Sequence, residues 1–171
     1  MARDVSAENP AEAAAENLVN KLQAASWTLV LAESCTAGLA ADLIARIPGA
    51  SRVLWGSFVT YTVDAKTAML GLDRDMIKKY GAVSRETACA MAEGALEKSG
   101  APLAAAVTGL AGPGGDGSAV PVGTVWIATA LRGAPTKAAV FHYRDSRNGI
   151  RNSAALAVVE ETLKRLHDAG R

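Results

Sequence analysis

The chain contains few of the residues that metal sites, disulfide frameworks and histidine-based catalysis require. Its 171 residues include two cysteines, Cys35 and Cys89, and two histidines, His142 and His167. The cysteine spacing matches no metal-ligand or redox motif, and a zinc site takes about four N, S or O ligands. His167 lies in the basic last turn of a predicted terminal helix, where we expect it to be solvated. We therefore predict no metal and no cofactor, and we expect any hydrolytic base to be a residue other than histidine.

The chain also lacks an excess of charge and a long apolar run. Lys and Arg number 18 and Asp and Glu 17, which leaves a net charge of +1. This balance argues against a basic face for nucleic acid. No apolar run approaches the roughly 20 residues of a spanning helix, and residues 1–25 carry acids instead of a basic-then-apolar signal. We expect a soluble, cytoplasmic domain that binds neither nucleic acid nor membranes.

What the chain has is the composition of one globular domain. Hydrophobic residues make up 50% and charged residues 20% of the sequence. A chain of this length buries about 70% of its unfolded surface, so its core needs no disulfide or metal. The polar residues 1–9 are predicted to form a flexible arm, and residues 10–171 a single domain.

The hydrophobic periodicity predicts the order α-β-α-β-α-α-β-β-β-α. The predicted strands cover 27–32, 52–62, 103–107, 123–131 and 137–143. The predicted helices cover 11–25, 37–47, 64–70, 73–80, 84–100 and 147–166. Early strands that alternate with helices favour parallel crossovers, and three successive late strands favour an antiparallel portion. We expect a three-layer α/β/α sandwich with a mixed, mainly parallel sheet, in which the alternating strand 137–143 lies nearer an edge.

The first candidate site is the segment 33–38, between a buried strand and a helix. Ligands of open α/β sheets lie outside the carboxyl ends of the strands, and free N–H groups at a helix start can hold an oxyanion. Ser34 is therefore a candidate nucleophile. Alternatively, Ser34 or Thr36 only caps the helix, and Cys35 is a rival nucleophile if its thiol ionises.

The second candidate site is the pair Tyr61 and Lys66, at a strand end and a helix start. A desolvated lysine can act as general base for a serine hydroxyl, and a tyrosine can relay or donate a proton. The alternative is a surface lysine and a half-buried strand tyrosine. The spacing is one residue longer than the Tyr–Lys pair of short-chain dehydrogenases needs, which excludes that function.

The third candidate site is the glycine-rich segment 108–117. It contains the pattern G-x-G-x-x-G, but a dinucleotide-binding loop must open a helix, and here a strand follows. The match is therefore accidental. Such a loop can still surround an anion or an aromatic ring with its backbone amides, or it is a plain hairpin loop.

The fourth candidate site is the segment 144–151, in which three arginines surround a helix start. Arginines there oppose the helix dipole unless an anion is bound, and Arg is the preferred bidentate ligand of phosphate. A salt bridge with Asp145 is the alternative that needs no ligand.

Together these motifs resemble the CinA C-terminal domain family. The resemblance rests on Ala-Glu-Ser-Cys-Thr-Ala-Gly at 32–38, the segments 61–66 and 81–84, Thr-Gly-Leu-Ala-Gly-Pro-Gly-Gly at 108–115, Pro-Val-Gly-Thr-Val-Trp-Ile at 121–127 and the ending 144–151. It covers roughly residues 15–166. The Glu-Ser-Cys-Thr motif within 32–38 and the glycine-rich motif at 108–115 are quite specific. Members of this family include nicotinamide-nucleotide amidohydrolases, which convert nicotinamide mononucleotide to nicotinate mononucleotide and ammonia.

The resemblance implies site roles for particular residues. It makes Ser34 the nucleophile, places Tyr61 and Lys66 at the family's catalytic Tyr and Lys positions, and assigns the phosphate to Arg147 or Arg151. Thr108 begins the loop that lines the nicotinamide amide, and the implied oxyanion donors are backbone amides near Cys35–Thr36 or near Thr108–Gly109. The implied substrate-binding residues are Cys35, Thr36, Thr108, Gly109, Gly112, Arg147 and Arg151. A binding module of the same fold without catalysis is the alternative.

The chain departs from the family pattern at two places. Ala37 stands where many members have glycine, and Arg-Asp-Ser-Arg at 144–147 replaces a tighter Gly-Asp-Arg, which leaves the phosphate arginine open. Many relatives carry an additional N-terminal domain that this sequence lacks, so the chain resembles the stand-alone deamidase form. The resemblance also implies a homo-oligomer.

Overall fold

The structure is a computed structural model that describes residues 9–171. Most of the predicted arm, residues 1–8, lies outside the described residues. Asn9 is already part of the folded domain, because its side chain accepts a hydrogen bond from the N–H of Ala11 and caps the first helix.

The elements follow the predicted order, with one additional 3-10 turn at Ala50–Arg52. The strands are β1 (Leu29–Glu33), β2 (Leu54–Val59), β3 (Leu103–Gly109), β4 (Thr124–Leu131) and β5 (Lys137–His142). The helices are α1 (Pro10–Ala25), α2 (Leu39–Ala45), α3 (Val63–Leu70), α4 (Arg74–Tyr80), α5 (Arg85–Ser99) and α6 (Arg147–Asp168). The predicted boundaries differ most at β2 and α2, which are shorter than the sequence pattern indicates.

The five strands form one mixed sheet in the order β2-β1-β3-β4-β5. β1 pairs in parallel with β2 and β3, whereas β4 runs antiparallel to both β3 and β5. Four of the five strands therefore point the same way, which confirms the prediction of a mixed, mainly parallel sheet. β5 lies at an edge, as its alternating pattern predicts.

Helices cover both faces of the sheet, which gives the predicted three layers. On one face, Leu29, Leu31 and Val107 pack in a core with α1, α2 and α6. On the other face, Val30 and Ala32 pack with α3, α4 and α5. The alternation follows from the two-residue period of a strand that is buried on both sides.

A glycine lets the helices of the second layer approach closely. Gly94 in α5 faces the backbone of Leu70 at the end of α3, where an added Cβ would collide with the Leu70 carbonyl oxygen. α5 begins at the predicted cap Ser84, whose Oγ accepts from the Thr87 N–H at 3.1 Å. These contacts hold α3, and with it Lys66, against the sheet.

The carboxyl ends of the parallel strands β1, β2 and β3 lie side by side at one end of the sheet. Two of the four candidate segments, 33–38 and 108–117, begin there directly, and 61–66 follows β2. Among residues 9–171, no helix combines the length and the hydropathy that crossing a bilayer takes.

Candidate active site

Ser34 is the first residue after β1 and lies in a tight turn. Its N–H donates to the Val107 carbonyl at 3.0 Å, and its own carbonyl accepts from the Ala37 N–H at 3.1 Å. Ala37 adopts φ of 51°, in the left-handed region that favours glycine. α2 begins at Leu39 with Gly38 as its N-cap, and neither the Ser34 nor the Thr36 hydroxyl accepts from its first N–H groups, so the alternative that Ser34 or Thr36 caps the helix is wrong.

The carboxylate of Glu33 holds this turn from inside the protein. It is fully buried and accepts hydrogen bonds from the N–H groups of Gly38 (2.8 Å), Ala40 (3.1 Å) and Ala41 (3.0 Å). The hydroxyl of Ser57 on β2 adds a fourth bond at 3.0 Å. A negative charge at the start of α2 satisfies free N–H donors and favours the helix dipole, so Glu33 fixes the position of α2 and of the turn.

Lys66 on α3 reaches under the turn and contacts Ser34. Its side chain is only 2% exposed, and Nζ donates to Ser34 Oγ at 2.9 Å and to the Thr60 carbonyl at 2.8 Å. Burial disfavours the ammonium form and lowers the pKa of Lys66 from 10.5 to about 8. The alternative of a surface lysine is therefore wrong, and the amine can become neutral near neutral pH.

Cys35 lines the same cavity as Ser34 but is a poor nucleophile. The residue is buried, and desolvation raises the pKa of its thiol to about 11, despite the weaker opposing effects of its own N–H and of Lys66. A thiol with this pKa stays protonated at neutral pH, and the thiolate is the reactive form. The raised pKa of the Cys35 thiol therefore favours Ser34 over Cys35 as the candidate nucleophile.

The central residues of the turn present free backbone donors. Within residues 9–171, the Thr36 N–H has no hydrogen-bond acceptor, and the Cys35 N–H has none beyond its own thiol. Free N–H groups beside a nucleophile are the donors that stabilise an oxyanion. Thr36 itself is fully buried and does not line the cavity, and its hydroxyl also has no partner in the described part of the chain.

Ser34 and Lys66 open onto a cavity of about 240 Å³ at the carboxyl ends of the strands. Its walls come from the turn after β1, the segment after β2, the segment before α5, the glycine-rich loop and the start of α6. The predicted site residues among them are Ser34, Cys35, Tyr61, Lys66, Thr108, Gly109, Gly112 and Arg147.

Tyr61 lies at the cavity but does not join the Ser34–Lys66 pair. Half of its surface is exposed, and its hydroxyl accepts from Arg147 Nη2 at 2.7 Å. Within residues 9–171, Tyr61 makes no hydrogen bond to Ser34 or Lys66. No direct contact therefore supports the expectation that Tyr61 assists Lys66 in proton transfer. Arg147 Nη1 also donates to the Gly112 carbonyl, and the arginine thus connects two walls of the cavity.

Arg151 lies one helical turn beyond Arg147 and contacts the turn after β1 instead of the cavity. Its Nε donates to the Cys35 carbonyl and its Nη2 to the Thr36 carbonyl, both at 3.0 Å. Arg151 is not among the residues that line the cavity. Across the described range 9–171, no ion pair joins Asp145 to an arginine, so the salt-bridge alternative for this cluster is wrong.

The glycine-rich segment lines the cavity with four glycines and with Thr108, Leu110, Ala111 and Asp116. The Thr108 hydroxyl donates to the Ala82 carbonyl at 2.7 Å, which joins β3 to the segment before α5. A Cβ at Gly109 would lie 2.9 Å from the Thr124 carbonyl oxygen, so the close approach of β4 requires glycine. The loop leads into β4 rather than a helix, which confirms that its G-x-G-x-x-G pattern is not a dinucleotide-binding loop.

Sequence reasoning missed the parts played by Glu33 and by the Thr60 carbonyl. An acidic residue that ends an apolar strand just before a helix start was the available signal for Glu33. A backbone carbonyl leaves no signal in the sequence. Within residues 9–171, no three His, Cys, Asp or Glu side chains cluster closely enough to hold a metal ion.

The chain is similar to known proteins over most of its length. The model of the CinA C-terminal domain family matches residues 11–166. A CinA-like protein of Akkermansia muciniphila is 49% identical over 140 residues, which cover 82% of this chain and 33% of that protein. A putative competence-damage inducible protein of Symbiobacterium thermophilum is 46% identical over 147 residues, 80% of this chain and 34% of that protein. The chain thus spans about a third of the length of the curated relatives it matches.

Two solved structures share both the fold and a substantial part of the sequence. The competence/damage inducible protein CihA of Agrobacterium tumefaciens superposes with a TM-score of 0.88 at 40% identity, covering 93% of this chain and 96% of that one. A competence-damaged protein (CinA) superfamily member from Escherichia coli gives 0.86 at 31% identity, covering 90% and 88%. Because the family model matches residues 11–166 and a relative is 49% identical over 82% of the chain, the chain belongs to the CinA C-terminal domain family.

Proposed function

We propose that this chain is a serine amidohydrolase that converts nicotinamide mononucleotide to nicotinate mononucleotide and ammonia. The observation that carries the proposal is the 2.9 Å contact between Lys66 Nζ and Ser34 Oγ at the floor of the cavity. A hydroxyl becomes a useful nucleophile when an adjacent base can take its proton. Lys66 is that base, because burial lowers its pKa to about 8 and keeps a fraction of it neutral at physiological pH.

The first step transfers one proton and forms one bond. Neutral Lys66 uses one N–H to donate to the Thr60 carbonyl, which leaves its lone pair free to face the Ser34 hydroxyl. As Oγ attacks the carboxamide carbon, its proton moves to Lys66 Nζ and the carbonyl electron pair moves onto the amide oxygen. We assign the donors for this oxyanion to the N–H of Cys35, which lines the cavity, and to the N–H of Thr36 in the next peptide.

The tetrahedral intermediate collapses by breaking the C–N bond. The Lys66 ammonium returns the proton to the leaving nitrogen, so ammonia departs and Lys66 is neutral again. This step leaves a covalent intermediate, an ester of Ser34 Oγ with the nicotinate group. Water then attacks the ester carbon while Lys66 takes its proton, and the proton passes to Ser34 Oγ when the C–O bond breaks.

The size of the cavity favours a mononucleotide over a dinucleotide. Its volume of about 240 Å³ lies just below the range of about 300–1,000 Å³ for drug-sized ligands. Arg147, at the rim beside the glycine-rich loop, is the arginine that lines the cavity, and guanidinium groups bind phosphate in a bidentate way. We therefore assign the phosphate to Arg147 rather than Arg151.

The substrate assignment is tested by incubating the purified protein with nicotinamide mononucleotide, nicotinamide, nicotinamide riboside and NAD in parallel. Ammonia and the corresponding acid are quantified in each reaction. The proposal predicts turnover of the mononucleotide and at least about tenfold lower kcat/KM for the other three, since they lack the phosphate or exceed the cavity. Binding of the mononucleotide without ammonia release would support the alternative of a non-catalytic binding module.

A further inference from the structure

We propose that Arg151 is a positioning residue that orients the Cys35–Thr36 peptide so that its N–H serves as an oxyanion donor. This inference rests on the proposed function, because the oxyanion arises when Ser34 attacks a carboxamide. It gives Arg151 a role in the reaction rate, distinct from the binding of substrate that is assigned to Arg147.

The Cys35–Thr36 peptide is the peptide of the turn most able to flip, that is, to rotate its plane by half a turn. The hydrogen bond from the Ala37 N–H to the Ser34 carbonyl closes a four-residue turn in which Cys35 and Thr36 are central. Types I and II of such a turn differ chiefly by a half-rotation of the peptide between the two central residues. That rotation exchanges the directions of the Cys35 carbonyl and the Thr36 N–H, which point opposite ways in a planar trans peptide.

Arg151 holds this peptide in one of the two orientations. Its Nε donates to the Cys35 carbonyl at 3.0 Å, from a position outside the residues that line the cavity. The Thr36 N–H therefore points away from Arg151, and it has no acceptor within residues 9–171. The second bond, from Nη2 to the Thr36 carbonyl, fixes the next peptide as well.

The turn already has a weaker preference for the same orientation. The reversed turn needs a positive φ at Thr36, whereas in residues 9–171 the non-glycine residues with positive φ are Ser26 and Ala37. A positive φ is costly for a β-branched residue. Two features thus favour the observed orientation, so loss of Arg151 weakens the oxyanion site without abolishing it.

The test compares matched variants on the same helix. Arg151→Met removes both donors and retains much of the side-chain bulk, Arg151→Lys can still donate to one carbonyl, and Arg147→Met makes the same change one turn earlier. For each variant, kcat and KM for ammonia release from nicotinamide mononucleotide are measured. The dissociation constant of the product nucleotide and the melting temperature are measured alongside.

We expect Arg151→Met to lower kcat by about 10- to 100-fold, less than the 10²–10³ that follows outright removal of an oxyanion donor. The product dissociation constant should change less than twofold, and Arg151→Lys should recover part of kcat. Arg147→Met should instead raise KM and the product dissociation constant. A weaker affinity with unchanged kcat in Arg151→Met, or no change in either, would overturn the inference.

A second readout separates this inference from the substrate assignment. A fluorophosphonate probe phosphonylates an activated serine through a transition state that also places charge on an oxygen, and intact mass reports its rate on Ser34. If the wild-type protein releases no ammonia but is labelled at Ser34, slower labelling of Arg151→Met supports the inference although the substrate is wrong. Equal labelling rates would refute the inference, and failure to label wild-type Ser34 would refute it together with the proposed nucleophile.

Discussion

The Nζ atom of Lys66 lies 2.9 Å from Oγ of Ser34, although the two residues are 32 positions apart in the chain. Parallel pairing of β1 with β2 brings them together, because the chain leaves both strands at the same edge and enters α3 within four residues of β2. Lys66 is buried, and its chemistry depends on this position. The predictions below follow from this contact and from the groups that hold the turn in place.

The activity should rise with pH as Lys66 loses its proton. With a pKa of about 8, only about a tenth of the amine is neutral at pH 7. A plot of log(kcat/KM) against pH is therefore expected to rise with a slope near one and to level off above pH 8. Lys66→Met should lose the activity, whereas an activity that is flat between pH 6 and 9 would contradict a base of this pKa.

Lys66 should lower the stability of the fold at neutral pH. Its folded-state pKa of about 8 lies below the ordinary 10.5, so the unfolded chain binds the proton more tightly and stability rises between these pH values. Replacing the buried ammonium by a methionine of similar length should raise the free energy of unfolding at pH 7 by about 1–2 kcal/mol. Urea unfolding at pH 7 and pH 10 measures this, with exposed Lys78→Met as the control that should change little.

Glu33→Gln should destabilise the turn that carries Ser34. A carboxylate accepts all three N–H bonds from Gly38, Ala40 and Ala41, whereas an amide presents an NH₂ group to one of these donors. We expect a loss of about 1–3 kcal/mol in the free energy of unfolding and a lower kcat. Asp42→Asn, on the helix α2 whose first N–H groups Glu33 accepts from, is the matched control, since Asp42 is exposed and pairs with Arg46 at the surface. Equal effects of the two substitutions would argue against this role for Glu33.

Ala37→Gly should stabilise the protein. Ala37 has φ of 51°, and a left-handed conformation costs an L-residue about 1–2 kcal/mol. Glycine removes this strain but gains freedom in the unfolded chain, which leaves a net gain of about 0.5–1 kcal/mol. Thermal unfolding measures the change. A lower melting temperature would show that the alanine methyl group makes a contact that outweighs the strain.

Much of the fold was predictable, because strands buried on both faces and amphipathic helices have distinct periods. The element order, the cap at Ser84 and the edge position of β5 all follow from local patterns. The boundaries of α2 were less predictable. The left-handed residues Ala37 and Gly38 delay its start, and the alanine-rich sequence does not reveal them.

The candidate site was predictable as a set of segments but not as a set of contacts. Arg147 and Arg151 have the same chemistry and lie one helical turn apart. Only the direction of the side chain decides that Arg147 contacts Tyr61 at the cavity and that Arg151 contacts the turn after β1. Burial of Lys66 depends on the packing of α3 against α5, which a local pattern does not report. The contact between Tyr61 and Arg147 joins residues 86 positions apart, and a local sequence pattern does not report it either.

The most direct test of the account is a single-turnover reaction with nicotinamide mononucleotide, quenched in acid and followed by mass spectrometry of the Ser34 peptide. The account predicts an acyl adduct on Ser34 together with one equivalent of ammonia, and neither in Ser34→Ala. Cys35→Ala keeps its backbone N–H and should stay within about tenfold of wild-type turnover, as expected for a protonated thiol. Ammonia release by Ser34→Ala at close to the wild-type rate would contradict the account.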